Sequence, residues 1–244
     1  MSSSNTISHE IADILRDEIL RQRYLSGDRF PSERDLAARF DASRGAVREA
    51  LSQLEQLGLI HTQPGGARVQ SVNAASLAVL GPLMALDDHL DPLLVDQFLQ
   101  TFSVLTAMTT KNAVNTASPE QLIQLQQLVV ELAGQADDFE AMQPRWRELL
   151  ETMSTIADNL VVRLISNDLK AQFVAQMMKL GIRPDLKRGS IDRLLTTLRE
   201  SINKRDGELA GDAMQKHFEE LREAVGEAIR FKAEASSYKT PRRA

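Results

Sequence analysis

Five residues in the first fifth of the chain could bind a polyanion through directed hydrogen bonds. Ser43, Arg44, Gly45 and Arg48 stand at the start of one predicted helix, and Arg34 stands at the start of the helix before it. Arg44 and Arg48 are four residues apart and therefore share one helix face. A guanidinium group donates two parallel hydrogen bonds to a guanine edge or to a phosphate group. This arrangement predicts that the start of one helix contacts base edges and phosphates in a DNA major groove.

A glycine turn shortly after this helix offers a second contact. Gly65 and Gly66 follow a proline, and their lack of side chains would let backbone amides approach a phosphate closely, with Arg68 behind them. Ser43 could combine helix capping with a phosphate contact. Any single arginine could instead be an ordinary surface charge. We interpret four others in that way: Arg16, Arg21, Arg23 and Arg39.

The overall charge does not by itself indicate nucleic acid. The chain carries 29 Lys and Arg against 34 Asp and Glu, a net charge of −5. Residues 1–72 hold nine arginines, no lysine and ten acidic residues. A contact with DNA must therefore depend on a few well-placed arginines and not on bulk positive charge.

The residue types argue against an enzyme and against a bound cofactor or metal. The chain has no cysteine, and residues 74–234 hold two histidines far apart, His89 and His217. It shows no glycine-rich phosphate loop. A hydrophobic content of 43% indicates a globular protein with a sizeable core. No apolar run reaches the roughly 18–20 residues of a membrane span, and no export signal is visible, so we expect no membrane contact and a cytoplasmic protein.

Three short helices are predicted before residue 58. Apolar residues recur at helical spacing from Ile11 to Ile19, with Thr6 or Ser8 available as the N-cap. After a break at residues 25–31, Ser32 is followed by a second helix that runs through Phe40. A tight turn then leads to a third helix, which Ser43 caps and Gly58 ends. Two helices joined by so short a turn form a helix-turn-helix.

Two strands around a glycine turn complete this predicted domain. Leu59–Gln63 and Ala67–Val72 are β-prone segments that flank Pro64-Gly65-Gly66. A hairpin directly after a helix-turn-helix makes a winged helix-turn-helix. We assign it to residues 5–73. An ordinary small α+β module is the alternative.

Residues 74–234 show helical periodicity without convincing strand alternation. Asp91-Pro92 and Ser118-Pro119 are typical of helix starts, with an N-cap followed by a first-turn proline. Six or seven helices of about 12–25 residues joined by short loops predict an antiparallel bundle. Residues 235–244 are expected to be a frayed tail. The fold class is mainly α: an N-terminal α+β winged domain followed by an all-α effector domain.

The segment FPSERDLAARFDASRGAVREALSQLEQLGLI, with the glycine-rich wing after it, resembles the DNA-binding domain of the GntR family of bacterial regulators. The resemblance covers about residues 7–72. It implies a homodimer on a palindromic double-stranded operator, with Arg34, Arg44 and Arg48 contacting bases and phosphates. Gly45 and Ala46 depart from the family, which often carries Thr or Pro there, and this leaves the operator sequence open.

The all-helical second half resembles the FadR subfamily of this family. Two effector types occur there: small carboxylates bound with a metal ion, and long-chain acyl-CoA bound without one. The resemblance can be followed to the metal ligands of the members that bind small carboxylates. Their ligand Asp corresponds to Trp146 in this chain, and two of their ligand His correspond to Leu150 and Leu195. Of these ligands, this chain retains only a histidine, His217. One imidazole among apolar side chains cannot hold a divalent ion.

These replacements predict an apolar slot suited to an alkyl chain, with about 0.8 kcal/mol gained per buried methylene. The effector pocket is therefore predicted at Trp146, Leu150, Leu195 and His217, with long-chain acyl-CoA as the effector and fatty acid metabolism as the target pathway. Two alternatives stay open. The four residues could be plain core of the bundle, or the effector could be another small metabolite, such as a carboxylate, bound without metal.

Overall fold

Apolar periodicity and local caps together build the first unit of the fold. The computed structural model describes the backbone of residues 2–84, 86, 91–135, 139–180, 186 and 188–237, and the side chains of residues 6–84, 86, 91–135, 141–170, 186 and 189–232. The chain packs as two units, residues 1–89 and 90–244. The first unit begins with three helices and one hairpin: α1 (Ser2–Leu20), α2 (Glu33–Arg39), α3 (Arg44–Gln56), β1 (Ile60–Gln63) and β2 (Gly66–Val69).

Two serine caps set the starts of α2 and α3 as predicted. The Ser32 hydroxyl accepts a hydrogen bond from the amide of Asp35 at 3.3 Å, and that of Ser43 accepts one from the amide of Ala46 at 3.2 Å. The prediction for α1 was wrong, because the helix begins at Ser2 and both Thr6 and Ser8 lie inside it. Ser8 is fully buried, so its position serves packing and not capping.

The turn after α3 requires glycine. Gly58 has a φ of +73°, in the left-handed region. A Cβ atom there would lie 3.0 Å from the carbonyl oxygen of Ala74. The chain that follows therefore packs closely behind this turn, and it leads into an antiparallel hairpin in which Ile60 pairs with Val69 and Gln63 pairs with Gly66.

One apolar core holds the helices and the hairpin together. Its buried members come from every one of these elements: Leu15, Leu36, Val47, Ala50, Leu54, Ile60 and Val69. Val79 joins this core, and Leu83 and Leu86 pack against it. Val79 ends the second of two short 3₁₀ turns, Leu83 lies in the helix α4 (Leu80–Met84), and Leu86 lies just after it. The first unit therefore extends past the boundary near residue 73 that the sequence predicts, because the following segment supplies apolar side chains to the same core.

Over its described residues, the second unit is built from six long helices. They are α5 (Pro92–Thr116), α6 (Pro119–Ala133), α7 (Phe139–Ala157), α8 (Leu160–Leu180), α9 (Arg188–Lys204) and α10 (Gly207–Ser237). Asp91 and Ser118 cap α5 and α6, each with a first-turn proline, as predicted. The predicted fold class is confirmed. With 31 residues, α10 is longer than predicted and takes in the first residues of the expected tail.

Two glycines on α10 allow it to pack closely on α5. Gly207 and Gly211 lie one turn apart, and the Gly207 amide donates a hydrogen bond to Asn115 Oδ1 at 3.2 Å. A Cβ atom at Gly207 would lie 2.5 Å from the carbonyl oxygen of Lys111, and one at Gly211 would lie 3.1 Å from that of Ala107. The backbone of α5 therefore occupies the space that a side chain would need.

We expect Gly207→Ala to destabilise the helical unit by about 2 kcal/mol, because the added methyl group must push α5 and α10 apart. The midpoint of thermal unfolding, followed by circular dichroism, measures this loss. Gly226→Ala on the same helix is the matched control, since a Cβ atom there meets no atom within 4 Å. This control should stabilise the protein by about 0.5–1 kcal/mol through helix propensity. Equal midpoints for the two variants would contradict the close packing.

Among the described residues, none of the helices combines the length and apolar character needed to cross a membrane.

Candidate nucleic-acid interface and effector cavity

The predicted arginines cluster around the first turn of α2 and the start of α3. Arg34 and Arg48 are 81% and 72% exposed at their side chains, and Arg44 is also exposed. Glu33 lies close to two of these arginines. It forms an ion pair with Arg48, and the positive charge of Arg44 also acts on its carboxylate. The start of α3 therefore presents exposed guanidinium groups beside one carboxylate.

Glu33 holds Arg48 through two hydrogen bonds. Arg48 Nε donates to Glu33 Oε1 and Nη2 donates to Oε2, both at 3.2 Å. These bonds, with the nearby charges of Arg48 and Arg44, lower the pKa of the Glu33 carboxyl group. The guanidinium is thus held in one orientation before any ligand arrives. The role of Glu33 could not be predicted from the sequence, because 15 residues separate it from Arg48.

Ser43 and Gly45 form the first turn of α3 beside these arginines. The Ser43 hydroxyl is exposed and already caps the helix, so a phosphate contact would add to that bond. Gly45 is also exposed, and a Cβ atom there would meet only the Ser43 oxygen, at 3.8 Å. Nothing in the fold requires glycine at this position. Because Gly45 has no side chain, a ligand can approach the backbone of the first turn of α3 closely.

The turn of the hairpin needs its two glycines. Gly65 and Gly66 have φ angles of +101° and +116°. Arg29, which the sequence analysis did not single out, lies next to this tip: its Nε would be 3.5 Å from a Cβ atom at Gly66. Arg68 donates from Nη1 to the carbonyl oxygen of Gly27 at 2.8 Å, so it braces the wing. Arg29 therefore extends the cationic surface towards the wing tip.

Arg39 is not the ordinary surface charge that the sequence suggests. Its Nη1 and Nη2 donate to the two carboxylate oxygens of Glu18 at 2.8 and 2.6 Å. The guanidinium carbon lies 4.8 Å from the centre of the Phe40 ring. Glu18 is buried, and its hydrogen bonds to Arg39 lower its pKa. Arg39 ties α1 to α2. Arg23, also interpreted from the sequence as a surface charge, donates from Nη1 to Glu18 Oε1 at 3.0 Å, so two arginines satisfy this buried carboxylate.

The four predicted effector residues do not form one wall. The rings of Trp146 and His217 meet edge to face with centroids 5.1 Å apart. Leu195 is buried in the bundle, whereas Leu150 is half-buried and lines a separate cavity. The aromatic cluster continues from His217 to Phe218, which packs on Phe102.

His217 is a buried imidazole that packs against aromatic rings. It is only 7% exposed, and Nδ1 has no hydrogen-bond partner in the part of the chain that the structure describes. Burial lowers the pKa of the ring to about 4. Across the described residues, no three His, Asp or Glu side chains come together in a way that could hold a metal ion. His89 lies outside the described residues.

A cavity of about 320 Å³ lies between α5, α7 and α8. Its floor contains the buried residues Phe102, Thr106, Thr110 and Met153. One face of α8 contributes four polar side chains at helical spacing: Arg163, Ser166, Asn167 and Lys170. A second, more open groove of about 490 Å³ runs along α9 and α10 beside Ser190 and His217. The cavity between α5, α7 and α8 combines a buried floor with two cationic groups and one exposed carboxylate, that of Glu151.

Both units match known protein families. Residues 7–69 match the bacterial regulatory proteins of the gntR family, and residues 97–220, about half of the chain, match the FCD domain. The chain is 30% identical over 150 residues to the fatty acid metabolism regulator protein of Haemophilus influenzae strain 86-028NP, which covers 61% of each protein. It therefore spans about three fifths of the length of that relative.

Other relatives are regulators with different names. The HTH-type transcriptional repressor NanR of Citrobacter rodentium is 26% identical over 215 residues, which cover 86% of this chain and 82% of that protein. Among solved structures, the chain is similar to Lar, which controls the expression of the Listeria monocytogenes agr system and mediates virulence. That match has 18% identity and a TM-score of 0.52, and it covers 89% of this chain and 95% of the other. At this identity, the structural likeness shows the fold alone.

Proposed function

Because the chain belongs to the GntR-family regulators that carry an FCD domain, we propose that it binds a palindromic operator as a homodimer and is released when an effector binds its helical unit. The observation that carries this proposal is the exposed set of Arg34, Arg44 and Arg48 at the N-terminal ends of α2 and α3. The N-terminal turn of such a helix reaches base edges in the major groove. Operator binding would place the protein in the cytoplasm.

Binding to its own upstream region tests the DNA-binding proposal. We expect the purified protein to bind that fragment far more tightly than an unrelated fragment of equal length at moderate salt. Specific binding by such proteins typically exceeds non-specific binding by about 10³-fold or more. Fluorescence anisotropy with both labelled fragments measures the ratio. Equal affinity for the two fragments would contradict the proposal.

An exposed apolar face on α8 supports the homodimer. Leu160, Val161 and Leu164 are 64%, 67% and 60% exposed, and Ile165 is adjacent. On α5, which packs against α8, Val104 is also exposed. Monomeric proteins seldom leave contiguous apolar surface of this kind in water. A two-fold dimer would bury the same face of both copies against each other.

We expect Leu164→Glu to raise the dimer dissociation constant at least tenfold, because it would place a charge in the proposed interface. Analytical ultracentrifugation over a concentration series measures this change. Ile123→Glu is the control, since Ile123 is similarly exposed on α6 and lies outside the proposed face. An unchanged dissociation constant for Leu164→Glu would place the dimer contact elsewhere.

Two effector classes have support. Long-chain acyl-CoA stays the prediction from the apolar side chains at Trp146, Leu150 and Leu195, and the name of the Haemophilus relative agrees with it. A small metabolite bound without metal is the second class. The mixed names of the other relatives and the modest cavity beside Leu150 favour it. In either case, the effector would favour a dimer whose two α3 helices no longer match the spacing of the operator half-sites.

A further inference from the structure

We propose that the cavity between α5, α7 and α8 binds a small dicarboxylate through Arg163 and Lys170, without a metal ion. This inference deepens the effector part of the proposed function and rests on it. The four polar residues of α8 that line the cavity lie on one helix face, because they are spaced by three or four positions. Their cationic members stand at the two ends of this row.

The guanidinium group of Arg163 is oriented by one hydrogen bond and has a further N–H group available to donate. Its Nη2 donates to the carbonyl oxygen of Ser154 on α7 at 3.0 Å, which fixes the plane of the guanidinium. Its Nε is buried, and no described residue accepts a hydrogen bond from it. A buried N–H of a charged group without an acceptor is costly, and a carboxylate oxygen would supply the missing acceptor. Within the described part of the chain, no ion pair with a carboxylate joins Arg163 or Lys170 to a neighbour.

The floor of the cavity adds further hydrogen-bonding capacity. Thr110 is fully buried, and its hydroxyl faces only the sulfur of Met153 at 3.5 Å, which is a weak acceptor. Thr106 donates its hydroxyl to the carbonyl oxygen of Phe102, so its own oxygen still has lone pairs to offer. Such groups suit a polar ligand better than an alkyl chain, which would leave them without water or partners.

Spacing and volume point to a ligand with a negative charge at each end. Arg163 and Lys170 are seven positions apart, which separates their Cα atoms by about 10 Å along the helix axis. A volume of about 320 Å³ is at the lower end of the range for ligand pockets. A dicarboxylate of four to six carbons fits both limits. A long acyl chain with its nucleotide head group exceeds this volume.

Isothermal titration calorimetry on the full chain in EDTA tests the inference, with succinate, glutarate and adipate as ligands. Butyrate and palmitoyl-CoA are the comparison ligands. We expect at least one of the three dicarboxylates to bind at least tenfold more tightly than butyrate. Arg163→Gln should weaken this binding at least tenfold and Lys170→Gln about fivefold, whereas Arg163→Lys should retain part of it. Lys204→Gln, which removes an exposed lysine at the end of α9, is the matched control and should bind as the wild type does.

Each other outcome overturns the inference. These outcomes are binding of palmitoyl-CoA alone, a requirement for a divalent metal, equal binding of butyrate, or binding that survives both α8 substitutions. Melting curves of the variants exclude a folding defect. Operator binding without any effector is measured on the same preparations, so a failed effector site remains distinct from a failed DNA-binding function.

Discussion

Arg44→Ala is expected to weaken binding to the operator by about 10- to 100-fold. Arg44 is exposed in the first turn of α3, where a recognition helix reaches base edges. Loss of one bidentate arginine–guanine contact costs about 1–3 kcal/mol of discrimination, and each 1.4 kcal/mol is a factor of ten in affinity. Non-specific binding should fall much less, because only one of several cationic contacts is removed.

Fluorescence anisotropy with the operator and with a scrambled duplex of equal length separates these effects. Arg16→Ala is the matched control: it also removes one arginine from the winged unit, but Arg16 lies on α1 and pairs with Asp13 and Asp17. This variant should bind both duplexes nearly as the wild type does. If Arg44→Ala lost the same affinity on both duplexes, Arg44 would contact phosphate and not bases.

The helical unit should lose about 3 kcal/mol of stability as the pH falls from 6.5 to 4, because of His217. Burial lowers the pKa of this imidazole to about 4 in the folded protein, against 6.5 for an unperturbed histidine. Between these values, the unfolded chain binds a proton that the folded chain does not. Stability therefore rises with pH across this window, by about 1.4 kcal/mol per pH unit, and is fully present above pH 6.5.

Urea unfolding at a series of pH values measures this slope. We expect His217→Leu to have a shallower pH dependence between 4 and 6.5, since its side chain fills similar space and takes up no proton. His61→Gln, a substitution on the exposed strand β1 of the other unit, should keep the slope of the wild type. Equal slopes for His217→Leu and the wild type would show that His217 titrates normally in the folded protein.

Several elements could be predicted because their determinants are local. Ser32, Ser43, Asp91 and Ser118 cap helices within three residues of their own position, and Gly58 supplies a left-handed turn where the sequence places one. Helical and strand periodicities depend on neighbouring residues in the same way. The start of α1 could not be predicted so well. Serine is a residue type that often caps helices, but α1 continues through Ser8 and buries it.

The sequence by itself determined the helix-turn-helix, the hairpin, the helical character of the second half and the arginines at the start of α3. The tertiary structure alone decided which side chains meet: Glu33 with Arg48, Glu18 with Arg39, Gly207 with the backbone of α5, and Trp146 with His217. It also separated Leu150 from the other predicted effector residues and placed it beside Arg163 and Lys170. The physical reason is distance along the chain. Caps and periodicity act within one or two helical turns, whereas these contacts join residues that only the packing of different elements brings together.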